Sequence, residues 1–348
     1  MQPTADAETS LIIILSAVSL LGVAAAYLRR RFGQRGAAGR GAVIARYEVP
    51  TGYNLLEAAD LVNRPTTAVA AQLVSLAVRG KVRILAFPVS AGGGAYTLQL
   101  LTVKGVHTLE RQLLEALFPG LAVGGVRELG VTDRALAAQL RSCPRAARDL
   151  VTARGWRALM VGRGGKLIVI VMAAVLLPTL VIFGAVVQSA GSGQLGKVVP
   201  FVGIAAICIY LANRFAAATP QLTEAGAEQR DHLKGLKIFL GLAQADRVRL
   251  VQSADDAPPA VKTDAAGAPD TVELVRLSEK LLPFAVLWGV ERDWARELVV
   301  LYEQGAPKPG WLMLQGDFSA TAFNAAVTGL IGSVAKSATL PGGSPASR

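Results

Sequence analysis

The uncharged run from Ser10 to Leu28 constrains this chain most. At about 1.5 Å per residue a helix of that length covers nearly the whole of a roughly 30 Å hydrocarbon core. Asp6 and Glu8 precede it, and Arg29, Arg30 and Arg31 follow it. A cleaved leader carries its positive charge before the apolar run, so the expectation is a retained anchor. Leu167 to Val187 is a second uncharged stretch, and a third apolar stretch runs from Val198 to about Phe215. Between them lies a Gly- and Ser-containing connection, Gln188 to Lys197. The pattern reads as an anchor followed by a helical hairpin, with Pro178 a tolerated kink. Composition agrees: 52% of the 348 residues are apolar, 18% are charged, and the mean hydropathy is +0.42. That combination excludes ordinary disorder.

Charge then sets the expected orientation. Arg29, Arg30, Arg31, Arg35, Arg40 and Arg46 occur with no acid between Arg29 and Arg46, and Arg163 and Lys166 end a basic run that contains Asp149 alone. By the positive-inside rule these residues orient the chain. They predict an external N-terminus (1–9), transmembrane helices at 10–28, 167–187 and 198–215, an external loop at 188–197, and everything else on the cytoplasmic side of a bacterial inner membrane. The formal net charge of +11 also leaves basic groups for anionic lipid or nucleic acid. Sparse aromatics, 6% of the chain, weaken a base-stacking role.

The first inward-facing region, 42–163, follows a basic linker at 29–41. Asn54 opens one helix, Pro65 interrupts it, and Thr66 or Thr67 is placed to cap a second helix with Val69, Leu73, Leu76 and Ala77 on one face. Gly80 ends that helix. Lys81–Leu85 and Ala95–Leu100 alternate as paired strands around Gly92–Gly94, and Thr108–Phe118 is helical again. Two helices, a two-stranded wing and a further helix predict a winged-helix-like α+β module. Its reading helix offers Thr67, Gln72, Ser75 and Arg79 to bases, with Lys81 and Arg83 for phosphates, a thin set for a sequence reader.

The second region, 216–314, holds an amphipathic helix at Glu228–Ala243, a Pro-rich linker at Ser253–Thr271, and a helical stretch at Val272–Gln304 broken at Pro283. Leu281–Val290 is apolar but half as long as a span, so it reads as packed core, with Trp294 and Leu298 continuing its face. The tail, 315–348, reads as weakly ordered. Within it Phe323, Val327, Leu330, Ile331 and Val334 form a stripe that needs a covering surface. Docking on protein, or fraying, is favoured over the bilayer, because Lys336 is its one basic residue.

Leu73–Gly80 (LVSLAVRG), Leu222–Leu240 (LTEAGAEQRDHLKGLKIFL), Arg247, and Lys280–Val290 (KLLPFAVLWGV) with Glu291 and Trp294 resemble the YciQ-like family of predicted bacterial membrane proteins. The resemblance runs in order from about Tyr47 to Leu314. It implies membrane residence and no established activity. Family members carry an extracytoplasmic β-rich domain before the first anchor and a glycine-rich tail. The nine residues before the anchor and Leu340–Arg348 (LPGGSPASR) stand in those places here, so any role housed in the outer domain is not expected of this chain.

Catalytic signatures are absent. Gly191–Gly196 (GSGQLG) matches a dinucleotide fingerprint, but it connects two apolar stretches rather than a strand and a helix. The two histidines, His107 and His232, and the two cysteines, Cys143 and Cys208, have no metal-ligand spacing. Glu228, Asp231 and His232 cluster on one exposed helical face. No catalytic, cofactor-binding or metal residue is nominated, and an enzyme is not expected. The fold class expected is a mainly α membrane protein: three transmembrane helices, the winged-helix-like cytoplasmic module, and a C-terminal helical cytoplasmic region. The function expected is an interaction or scaffold protein facing the cytoplasm, with the lipid bilayer and another protein as partners. The alternative is a membrane-tethered DNA-binding regulator using the wing module.

Overall fold

The computed structural model describes residues 45, 48–50, 52–89, 95–131, 133–160, 219–242 and 271–338, with a few positions within 17–28 and 170–214. The chain divides into two compact units, one of Gly39–Trp156 with Glu224–Arg348, the other of Met1–Ala38 with Arg157–Thr223.

In the first unit Asn54 starts α1 (Leu55–Leu61). Its Oδ1 accepts from the Glu57 N–H at 3.0 Å while Glu57 Oε2 accepts from the Asn54 N–H at 3.0 Å, a reciprocal pair that satisfies two orphan donors. Asn63, at φ +56°, turns the chain, and Pro65 opens α2 (Pro65–Val78), where its missing N–H costs nothing. Gly80, at φ +67°, ends α2, with the Lys81 N–H returning to Leu76 O at 2.8 Å. The side-chain cap expected from Thr66 or Thr67 is not formed; Pro65 already occupies the first helical position.

Strands β1 (Val82–Leu85) and β2 (Tyr96–Leu100) pair antiparallel, Ile84 opposite Leu98. Helix α3 (Thr108–Leu117) buries Leu109, Leu113, Leu114 and Leu117, leaving Arg111 and Glu115 outside. Strand β3 (Val126–Leu129) adds to β2, and α4 (Arg134–Ala153) packs on α1 and α3.

The other unit contributes β4 (Arg157–Met160) and β5 (Thr219–Leu222), an antiparallel ladder running from Arg157 opposite Leu222 to Met160 opposite Thr219. It brings the two ends of the 161–218 segment side by side.

The chain then returns to the first unit through α5 (Glu224–Leu240), whose Leu233, Leu236 and Leu240 are buried and whose Lys234 and Lys237 are exposed. Helix α6 (Thr271–Trp288) runs through Pro283 without breaking, and Gly289, at φ +75°, separates it from α7 (Glu291–Glu303). Leu281–Trp288 are buried, and α6 packs chiefly along α2. Burial of this kind stabilises by about 1.5–3 kcal/mol per large apolar side chain. Strand β6 (Leu312–Met313) pairs parallel with β1, giving the order β3-β2-β1-β6. Last comes α8 (Ala320–Ser337), capped by Ser319 and packed on α7, α2 and β3. Phe323, Val327, Leu330 and Val334 of its stripe are buried on protein, and Ile331 is half-buried.

Two corrections to the expected fold class follow. Among the described residues no helix is long and apolar enough to cross a membrane, so the expected mainly α membrane fold with three transmembrane helices is not what the structure shows. The long helices fail for physical reasons. Arg141, Arg145, Arg148 and Asp149 lie on α4, Glu273, Arg276, Glu279 and Lys280 lie on α6, and Ala, Ser, Thr and Asn dilute α8. About half of 10–28 and most of 167–187 and 198–215 lie outside the described residues. The winged-helix-like module is also replaced. Its wing, β1 and β2, sits at the centre of a four-stranded sheet whose last strand comes from beyond residue 311, and its reading helix α2 is enclosed by α1, α6 and α8.

Candidate functional site

Helix α2 supplies the polar residues that the sequence offers to DNA, and the structure buries Gln72 and ties Thr67 and Arg79 to other parts of the fold. Gln72 is 0% exposed. Its Oε1 accepts from the Leu55 N–H at 2.9 Å and its Nε2 donates to Glu110 Oε1 at 2.9 Å. Arg79 donates from Nη2 to the same carboxylate oxygen, and Nε donates to Ser75 O at 3.3 Å. The Thr67 hydroxyl lies 3.1 Å from Leu287 O and 3.3 Å from Arg64 O. Ser75, Lys81 and Arg83 are half-buried. An amide locked between a helix start and a carboxylate cannot read a base edge.

The same contacts build a network. Glu57, Asp60 and Glu110 are 1%, 5% and 1% exposed, and each faces an arginine: Arg154 Nε at 2.8 Å from Glu57 Oε1, Arg148 Nε at 2.9 Å from Asp60 Oδ1, and Arg79 on Glu110. Glu110 Oε2 also accepts from the His107 N–H at 2.9 Å, which closes the start of α3 as Glu57 closes that of α1. A buried carboxylate is tolerated only when paired and hydrogen-bonded in this way.

Beside this network the described residues line an open cleft of about 780 Å³. Its apolar lining includes Leu277, Pro283 and Phe284 of α6 and Val78 of α2; its polar lining includes Tyr53, Arg79, His107, His232, Lys280 and Glu48. Both histidines of the chain therefore meet in one place, 125 positions apart in sequence. His232 Nε2 lies 3.3 Å from Glu48 O. A carbonyl only accepts, so Nε2 is the donor in this contact. The Tyr53 hydroxyl is buried without a hydrogen-bond partner. Burial first, and then the charge of Glu57, push its ionisation well above the usual phenol range, so it stays a donor.

The other residues singled out in the sequence separate. Glu228, on α5, is exposed. Asp231 pairs with Arg230 at 3.0 Å and Lys234 at 3.4 Å; desolvation raises its ionisation, but the two cations outweigh it and hold the carboxyl below its usual range. Cys143 is buried, and burial raises its thiol, the inert kind of cysteine. Among the described residues no three His, Cys, Asp or Glu side chains are grouped to hold a metal. Arg29, Arg30, Arg31, Arg35, Arg40, Arg46, Arg163 and Lys166, and the Gly191–Gly196 motif, lie outside the described residues. The cleft set went unrecognised in the sequence because its members come from five separate segments. The local sign was the pair of spacings Asn54-x-x-Glu57 and His107-x-x-Glu110, which mark two helix starts.

No curated protein and no solved structure matches the chain. A family model does match, the C-terminal domain of the DUF2207 predicted membrane proteins, over residues 44–259. That interval runs through α1 to α5 and carries the buried Glu57, Gln72 and Glu110 network together with most of the cleft. It covers more than half of the chain, which therefore belongs to the DUF2207 family of predicted membrane proteins.

Proposed function

We propose that this protein is an interaction protein of the bacterial inner membrane, of the YciQ-like type within its family, without chemistry of its own. Its compact 45–156 and 224–338 unit is the docking body, and it faces the cytoplasm. The observation that carries the choice over a DNA-binding regulator is the enclosure of α2. Gln72 and Thr67 are engaged inside the fold, Arg79 at the exposed end of α2 is held by Glu110, and a helix covered by α1, α6 and α8 has little face left to enter a groove. Sidedness is supported by the unit being assembled from segments on both sides of 161–218. One folded body lies on one side of a bilayer, which favours a segment that leaves and returns on the same face, and the β4–β5 pairing at its two ends supports this. The arginines between 29 and 46 point to the cytoplasmic side and to an external N-terminus.

Reporter fusions and duplex binding test this reading together. A periplasm-active reporter is expected to be silent both after Ala122 and after Arg348, and the full chain in nanodiscs is expected to show no salt-dependent duplex binding. Photo-crosslinking from exposed Val123 or Val126 in intact membranes is expected to give one protein adduct of fixed mass. Reporter activity at Ala122, or saturable duplex binding with a steep salt slope, overturns it.

A further inference from the structure

We infer that the cleft between α2, α3, α5 and α6 binds an amphiphilic anion, a carboxylate or phosphate head on an acyl-sized apolar body. The inference does not depend on the interaction reading above. The volume of about 780 Å³ is within the range of sites for organic ligands and far larger than a bare phosphate needs. Pro283 and Phe284 of α6 supply an apolar wall. The polar side is rich in donors. Lys280 is exposed and has no ion-pair partner among the described residues. Arg79 spends Nε and one Nη2 hydrogen internally, which leaves three of its five N–H groups.

The acid deepest in the cleft is already satisfied. Glu110 accepts from Gln72, Arg79 and the His107 N–H, so it does not repel an incoming anion as a bare carboxylate does. Glu48, lining the cleft, and Glu57, whose charge reaches Tyr53, are the opposing charges. An independent observation points the same way: the Tyr53 hydroxyl, shut from water and unpartnered, is a donor in search of an acceptor. A buried unpaired donor is costly, and an anionic oxygen within its reach removes that cost.

The histidines make the test direct, because both of them line the cleft and no other imidazole signal exists. The full chain in phosphatidylcholine nanodiscs is titrated with octanoate and with octyl phosphate, with octanol and inorganic phosphate as controls, and the histidine ring resonances are followed. Saturable shifts of both histidines are expected with the two amphiphilic anions, and at least tenfold weaker ones with either control. Lys280→Gln is expected to weaken binding about tenfold, the loss of one charge-assisted hydrogen bond, and Glu48→Gln to tighten it. Tyr53→Phe is expected to weaken binding while leaving the melting temperature unchanged or raised, since an unpaired hydroxyl is removed; a purely structural tyrosine loses stability instead.

Nanodiscs of phosphatidylglycerol distinguish the source. A bilayer lipid shifts both histidines before any addition, whereas a free amphiphile does so only when added. Absence of shifts in every arm overturns the inference. So do equal binding of octanol, equal binding of inorganic phosphate, or tighter binding by Lys280→Gln.

Discussion

Gly329 lies where Tyr96 crosses α8. A Cβ built on Gly329 overlaps the Tyr96 hydroxyl and comes within 2.8 Å of its ring carbon Cζ, and that hydroxyl donates to Ala325 O at 3.2 Å. A methyl group there must drive the rigid ring off its hydrogen bond, an overpacking cost of about 1–3 kcal/mol against a helix-propensity gain of about 1 kcal/mol. Gly329→Ala is therefore expected to lower stability, and in a Tyr96→Ala background the same change is expected to become stabilising. A double-mutant cycle by chemical denaturation measures that reversal of sign. Glu110 gives the second residue-scale test. Its three incoming donors lose a charged acceptor in Glu110→Gln, so a loss of about 1–3 kcal/mol is expected by denaturation, with far-UV circular dichroism retained. A gain in stability shows that the network is dispensable.

At the scale of elements, α4 depends on one side chain. Asp133 Oδ1 accepts from the Ala135 N–H at 2.9 Å and the Leu136 N–H at 3.2 Å, and Oδ2 pairs with Arg127. The Leu136 N–H first, and Arg127 next, hold the carboxyl below its usual range. A carboxylate whose ionisation is depressed by folding adds stability that is present above the unfolded value of about 3.9 and is lost as pH falls through the lower folded value. Asp133→Asn is therefore expected to flatten the acid limb of the melting temperature below about pH 4; an unchanged limb shows that the cap does not titrate with folding. What the sequence disclosed sorts along the same line. Asn54, Gly80 and the leucines of α3 act within one or two turns, and α1, the end of α2, the paired strands and α3 were legible from them. The sides of α2 were not. Its Gln72 is polar because Leu55 and Glu110 reach it from 17 and 38 positions away, and periodicity along one helix holds no trace of such partners. Pro283 misled for a related reason. The packing of α6 along α2 outweighs the lost backbone bond, and the break falls at Gly289. The cleft was illegible because no single segment contains it.

At the scale of the whole molecule, one folded unit is assembled from two lengths of chain that the 161–218 segment separates. Interruptions of this kind are tolerated when the interrupting segment begins and ends at one point, because closing a long loop between fixed ends costs little more than closing a short one. The β4–β5 ladder provides that point, with Met160 and Thr219 as register partners. Two residues can join antiparallel partners when both adopt positive φ, which Asn-Gly does. Replacing 161–218 by Asn-Gly is therefore expected to leave residues 39–338 of the remaining chain able to fold. The core of Leu73, Leu98, Leu113, Phe239, Leu282 and Phe323 does not draw on the excised segment. Denaturant unfolding is expected to give a single transition with coincident tryptophan fluorescence and circular dichroism, and the histidine resonances are expected to keep the dispersion they show in the full chain. Separate transitions for the two probes mean that the halves need the 161–218 segment to find each other, and the unit is then a product of that segment rather than a body that merely accommodates it.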